Sequence, residues 1–366
     1  MKLAINEGAI RMYQPGLKGV IAVETELSDI DGERGILTYR GKKIHDIVQN
    51  HSFEEAIFFL LRGVFPSDNE LQAFQTQLHE NRNLPTYIQQ IIDQLPAEQE
   101  MMDVLRTTIS AMTVEQGDIH NNAIQLIAVM PTIIAYRYRR SQNKDFIAPD
   151  DKLNHVGNFL NMLNKDTNPA HAKMLEAYLI MTMEHGLNAS TFATRVTKST
   201  QSDLISAITS AIGTMKGPLH GGAPSGVIDL LDEIGTKDKI SEVIHMKLEN
   251  NERIMGFGHR VYKTIDPRAE ALKAIILELE IKPEWIELAL QTEIETIEIL
   301  KENKPDQKLY TNVEYYAAAI MKSIEIDPDL FTAIFSSSRI VGWCAHAIEQ
   351  TNNNTIFRPE AKYIGK

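Results

Sequence analysis

A single cysteine, Cys344, in 366 residues rules out a disulfide framework and any metal centre built on several thiolates. It sits in an apolar run, VGWCAHAIEQ, that reads as buried, and a reducing, cytoplasmic setting fits it. Positive charge is also scarce: 37 Lys and Arg stand against 49 Asp and Glu, a formal net charge of -12. Phosphate backbones need a basic surplus, so nucleic acid is excluded as the main partner, and any anionic ligand has to be met by a local cluster of cations. Long hydrophobic runs are missing. The most membrane-like stretch, AIQLIAVMPTIIAY at 123–136, falls short of the ~20 residues a span requires and carries Pro131. A buried, kinked helix is expected there, with no membrane partner. The N-terminus, MKLAINEGAIRMYQPG, has no continuous apolar core or small-residue cleavage site, and no secretory signal is expected. Also absent are a G-x-x-x-x-G-K-[ST] loop, a G-x-G-x-x-G after a strand, and the zinc spacing H-E-x-x-H. No internal repeat or low-complexity linker occurs.

What is present is an ordinary globular composition, 43% hydrophobic and 23% charged, in a chain long enough for more than one core. The stretch VIAVETELSDIDGERGILTYRGKKI alternates and is broken at Asp31-Gly32 and Arg40-Gly41, which predicts short strands joined by turns. Everything after it reads as helix. Ser52 and Glu55 form a capping-box signature, Pro66-Ser67 starts a second helix, and Asn168-Pro169 caps one running through MLEAYLIMTMEH to Gly186. Leu175, Leu179 and Met183 make one apolar stripe; Val227, Leu230 and Ile234 make another that stops at Gly235. Two acidic amphipathic segments within 268–303 are separated by Lys282-Pro283. The expected fold is mainly α with a small N-terminal β element. Its joints lie near 217–222 and at Asp327-Pro328, giving a discontinuous large domain of residues 1–221 and 326–366 and a smaller inserted domain of 222–325.

Four segments concentrate His, Arg and Glu beside glycine: MEHGLNASTF, KGPLHGGAPSG, RIMGFGHRVYKTIDPRAE and LYTNVEYYAAAI. Glycine permits close backbone approach, so each could present a polar side chain to a ligand. Each also has a plain structural reading. His185 falls in the last turn of its expected helix, where an imidazolium suits the dipole. His220 could fill a turn before a helix begun by Pro224. His259 with Arg260, Lys263 and Arg268 makes either an anion-facing loop or a solvated basic one. Glu314 could be a paired structural carboxylate. His185, His220, His259 and Glu314 are acceptable zinc ligands, but their spacing matches no usual zinc motif, and no metal is expected.

Taken together, the GxxHGGA turn, the GFGHRVYKTxDPR block and the NVE segment closely resemble the citrate synthase family, in the family's order. ETELSDIDGERGILTYRG, HGLNASTFATRV, SSSRIVGWCAHAIEQ and IFRPEAKY extend the resemblance over most of the chain. It implies a helical homodimer whose small domain closes over oxaloacetate and then acetyl-CoA, the latter a co-substrate, with no tightly bound cofactor. By that resemblance Glu314 takes a proton from the methyl carbon of acetyl-CoA, and His220 donates a hydrogen bond to the thioester oxygen. A helix N-terminus would keep His220 neutral, and Gly221-Gly222 would leave room for the thioester. His259 polarises the oxaloacetate ketone and His185 holds oxaloacetate from the opposite side. Arg268, Arg339 and Arg358 match the family's carboxylate-binding arginines, Arg358 serving the neighbouring subunit. Arg253, Ile254, Met255, Gly256 and Phe257 match the segment that receives CoA.

Two departures bear on substrate choice. The family's common HGGANE reads HGGAPS here, and its usual aspartate base is Glu314. Some relatives use propionyl-CoA to make 2-methylcitrate, so 2-methylcitrate synthase is the near alternative, and a non-catalytic CoA-binding or scaffold protein is the alternative of a different class.

Overall fold

The computed structural model describes residues 13–114, 117–221, 225–259, 261–279, 282–305 and 309–365. The expected domain start at 222, Gly222 and Pro224 of the histidine turn, and Arg260 of the GFGHR loop lie outside them.

The alternating N-terminal stretch forms a three-stranded antiparallel sheet, Ser28–Asp31, Ile36–Tyr39 and Lys42–Lys43, paired in chain order with Ser28 opposite Tyr39 and Thr38 opposite Lys43. Its first turn is docked: the Gly32 carbonyl accepts from the Lys263 N–H at 2.8 Å, and a Cβ on Gly32 would stand 2.4 Å from the Val261 carbonyl oxygen. Only glycine lets the hairpin approach the 261–265 loop that closely.

Helices begin where side chains satisfy their first N–H groups. Ser52 and Glu55 close a capping box ahead of Phe53–Arg62, Ser67 and Glu70 do so for Asp68–Glu80, and the Asn168 side chain accepts from Ala170 at the start of Pro169–Thr182. Ile119–Ser141 runs through Pro131 as one helix buried along most of its length. Phe331–Asn352 follows the Asp327-Pro328 break and is buried nearly all round, as a central helix must be. It packs against Ile119–Ser141, Pro169–Thr182, Ala189–Ser199 and Leu204–Met215. Side chains such as Phe331, Ile334 and Ile340 are fully buried there, each contributing about 1.5–3 kcal/mol. Cys344 lies in the same interior and is a free thiol.

A second group, Ser225–Ile234, Ile240–Glu249, Glu284–Asn303 and Val313–Ser323, packs mutually. Pro267–Leu277 touches both groups, lying against Val313–Ser323 on one side and against Pro169–Thr182 and Ile44–Asn50 on the other. Among the described residues no helix is long and apolar enough to cross a membrane.

One element differs from expectation. The helix expected to reach Gly186 ends at Thr182, so His185 lies beyond the last turn and the dipole reading of it fails. Side-chain bonds replace the helix. The Glu184 carboxylate accepts from the Gly186 N–H, from Ser28 Oγ and from His346 Nε2, which turns the chain toward the sheet and the central helix.

Candidate active site

Asp266 organises one side of the site. Placed ahead of Pro267, it caps Pro267–Leu277 by accepting from the Arg268 N–H, and its two oxygens accept from Arg268 Nε and Nη2 at 3.0 and 2.8 Å. It also accepts from the Val313 N–H at 3.1 Å, binding the start of one helix to the start of another. Burial opposes the Asp266 charge, but Arg268 outweighs it and holds the carboxyl below its ordinary value. Arg268 is 4% exposed and Arg339 2%. Arg339 donates through Nε to the Thr182 carbonyl at 2.7 Å and stacks on Phe335 at 4.7 Å. Two buried guanidinium groups thus supply, in an acidic chain, the local positive charge that a small carboxylate ligand needs.

His259 stands beside Arg268. Its Nδ1 accepts from the backbone N–H groups of Val261 and Tyr262 at 3.0 and 3.1 Å. Those groups can only donate, so the ring proton sits on Nε2, 3.2 Å from Arg268 Nη2. Two donors therefore face one another, an arrangement that a single oxygen acceptor between them would satisfy. Burial first, and Arg268 second, push His259 down to about 4. His185 meets it edge-on, ring centroids 5.8 Å apart, and its Nε2 lies 3.1 Å from the Tyr262 hydroxyl. Burial, Arg268, Arg339 and His259 hold His185 well below its ordinary value.

His220 lies in a turn after Leu204–Met215, its N–H bonded to the Gly217 carbonyl at 2.9 Å. The Ser190 N–H donates to His220 Nε2 at 3.2 Å, which leaves the proton of the neutral ring on Nδ1. Ser190 Oγ is 2.7 Å from the same nitrogen and accepts from the buried Trp343 Nε1. Burial and then Arg339 bring His220 to about 4, so desolvation and a nearby cation favour the neutral ring. A Cβ on Gly221 would lie 2.3 Å from the Met215 carbonyl oxygen, so its bare backbone packs against the preceding helix.

Glu314 occupies the first turn of Val313–Ser323, capped by Asn312, whose side chain accepts from the Glu314 N–H at 3.0 Å. Among the described residues no hydrogen bond or ion pair reaches its carboxylate, and the expectation of a paired structural acid does not hold. Burial raises its pKa; Arg268 and Arg253 pull the other way without cancelling that. The neighbouring segment is fixed through its backbone. The Gly256 carbonyl accepts from the Asn312 N–H at 2.9 Å, the Gly258 N–H donates to Tyr310, and Phe257 bridges to Thr311. Ile254 and Phe257 are buried, Met255 is half-buried, and Arg253 is exposed.

The structure therefore brings His185, His259 and Arg268 together; Arg339 acts electrostatically on His185 and His220, and Arg268 and Arg253 act on Glu314. It does not bring in Arg358, which is exposed on the C-terminal segment and lines a separate groove of about 760 Å³ with Arg195, Glu349 and Phe357. Sequence reasoning passed over Ser190, Tyr262, Asp266 and Glu184. Asp266 was signalled by its place before Pro267, and Ser190 by the Asn-x-Ser start of a helix. Tyr262 and Glu184 carried no local signal. Among the described residues no cluster of His, Cys, Asp or Glu could hold a metal ion.

The family model for the citrate synthase C-terminal domain matches residues 16–360. Citrate synthase from Synechocystis sp. is 36% identical, with 97% of this chain and 91% of that protein covered. 2-Methylcitrate synthase from Shewanella oneidensis is also 36% identical, covering 98% of this chain and 96% of that protein. The ternary complex of citrate synthase from Thermoplasma acidophilum with carboxymethyl coenzyme A and oxaloacetate superposes with a TM-score of 0.87 at 31% identity, covering 97% of each chain. With nearly its whole length matched in sequence and in fold, the chain belongs to the citrate synthase family, enzymes that transfer an acyl group and convert it to alkyl.

Proposed function

We propose that the enzyme condenses oxaloacetate with acetyl-CoA and hydrolyses the resulting thioester to citrate and CoA. The observation that carries this reading is the facing pair, His259 Nε2–H and Arg268 Nη2, with the partly buried Glu314 carboxylate in the field of Arg268 and without a hydrogen bond or ion pair among the described residues. Glu314 takes a proton from the acetyl methyl group. His220 donates Nδ1–H to the thioester oxygen as charge moves onto it, stabilising the enolate without being a cation itself. The methyl carbon then bonds to the ketone carbon of oxaloacetate, whose oxygen is met by His259 Nε2–H and takes that proton, His259 being reprotonated through solvent as Glu314 releases the proton it removed. Water cleaves the thioester and CoA leaves as the thiol. Arg268 and Arg339 bind the oxaloacetate carboxylates, with His185 and Tyr262 on the facing side, and residues 253–257 receive CoA.

Three further parts belong to the same reading. Residues 222–325 close as a small domain on a large one of 1–221 and 326–366. The enzyme works as a homodimer in which Arg358 completes the partner's site. Its setting is the cytoplasm.

The test is thiol release with each acyl-CoA. We expect kcat/KM to favour acetyl-CoA over propionyl-CoA. A clear propionyl preference would move the assignment to 2-methylcitrate synthase, a second reading kept open because a relative of each name is 36% identical to this chain. Ligand binding with no thiol release would leave only a CoA-binding or scaffold role.

A further inference from the structure

We infer that Glu293 is a positioning residue for the Glu314 carboxylate and the CoA-receiving segment, an inference resting on the role proposed above for Glu314. Glu293 lies in Glu284–Asn303 and is 3% exposed. Its two oxygens take three donors from three separate stretches of chain. Oε1 accepts from Thr311 Oγ1 at 2.6 Å; Oε2 accepts from Tyr316 Oη at 2.5 Å and pairs with Lys273 Nζ at 2.6 Å. Lys273 is on the helix whose first turn carries Arg268, and Tyr316 is on the helix whose first turn carries Glu314. Thr311 is the residue bridged to Phe257, immediately before the Asn312 cap.

A carboxylate in this place is not explained by stability. Burying a charge is costly even when it is paired, and apolar residues of similar size are often as stable or more so. What an apolar residue could not do is fix three donors at defined distances. The Asn312 N–H to Gly256 bond and the Asn312 side-chain bond to Gly258 then transmit that register to residues 256–258. One buried acid thus sets the height of the Glu314 helix against both the substrate arginine and the CoA segment. A general base must meet its proton within hydrogen-bond reach, so a small shift here acts on the proton-transfer step.

The experiment compares Glu293→Gln and Thr311→Val with the parent enzyme by thiol release, oxaloacetate binding, thermal unfolding and solvent deuterium exchange into the acyl methyl group. Oxaloacetate affinity should hold, because Arg268 is fixed by Asp266. We expect kcat and methyl exchange to fall and the acyl-CoA KM to rise in both folded variants. The loss for Glu293→Gln should approach 10²-fold, on the order of what a misplacement of about 1 Å costs. A purely structural role predicts a lower Tm with unchanged kcat, KM and exchange, and that result would overturn the inference. Should Glu293→Gln fail to fold, Thr311→Val decides by the same criteria. A parent enzyme that releases no thiol would overturn the proposed reaction and this inference together; an active parent matched by its variants overturns the inference alone.

Discussion

His220, His259 and Glu314 are all partly buried, yet burial moves them in opposite directions because it penalises whichever form is charged. Both histidines fall to about 4, while Glu314 rises. At neutral pH the histidines are therefore donors without charge, and the carboxylate is a stronger base than an exposed one. The sign of the pH dependence follows. If Glu314 is the base, activity requires its ionised form and is lost as pH falls through its raised pKa, so the acid limb of the kcat profile should lie above the ordinary glutamate value. Neither histidine should produce an alkaline limb near neutrality, since both are already neutral there; a limb near 6.5 that disappears in a His259 variant would contradict this. Glu314→Gln should lower kcat by roughly 10²–10⁴-fold, the range for removing a general base, with Tm and oxaloacetate binding retained. Wild-type methyl deuterium exchange in that folded variant would take Glu314 out of the reaction.

Elements were the most legible level of this sequence. Ser52 with Glu55, Pro66-Ser67, and Asn168-Pro169 marked helix starts because capping is a matter of residues close in sequence. The site was legible only where chemistry-bearing residues stood in recognisable motifs. Ser190 and His220 are 30 positions apart, and Glu184 and His346 162, so neither periodicity nor spacing could pair them. The end of the helix at Thr182 was misread for the same reason: the bonds that turn the chain come from Ser28 and His346, distant in sequence. One buried pairing at a helix start carries a stability prediction. His155 opens His155–Asn164 with its N–H on Glu54 at 2.8 Å, while its ring packs against Phe53 and its Nδ1 is buried without a partner. Burial first, then Arg82 and His79, push it down from 6.5 to about 3. The unfolded chain binds this proton more readily, so the stabilisation is complete above 6.5 and is lost as pH falls toward 3. One such proton changes stability by about 1.4 kcal/mol per pH unit. His155→Phe, which keeps an apolar ring against Phe53, should flatten the slope of unfolding free energy between pH 6 and about 4 by roughly that amount. An unchanged slope in denaturant titrations would show that another group carries it.

At the scale of the whole molecule, the acidic surplus and the cationic site are compatible because the arginines are concentrated and individually countered. Arg268 has Asp266, and the fully buried Glu184 lies in the field of Arg339. Arg358 stands outside that arrangement. It is exposed on the C-terminal segment, where Ile356 and Tyr363 are 57% and 82% exposed, and Leu17 and Val20, which line the same groove from the N-terminal side, are 39% and 45% exposed. Large apolar side chains this exposed at both ends of a chain are what a second copy would cover. If Arg358 completes the partner's site, Arg358→Ala chains alone and His259→Ala chains alone should both be inactive as homodimers. In a mixed dimer the site on the Arg358→Ala chain has an intact His259 and borrows the intact Arg358 of its partner, whereas the other site lacks both. Random pairing of equal amounts should then restore about a quarter of the parent activity, half of the dimers holding one sound site of two. If instead Arg358 serves the chain that carries it, every site in the mixture lacks one group and nothing is restored. Activity of re-paired chains, with the heterodimer fraction measured by tagging one variant, separates the two: no rescue in verified heterodimers would place Arg358 outside the partner's site.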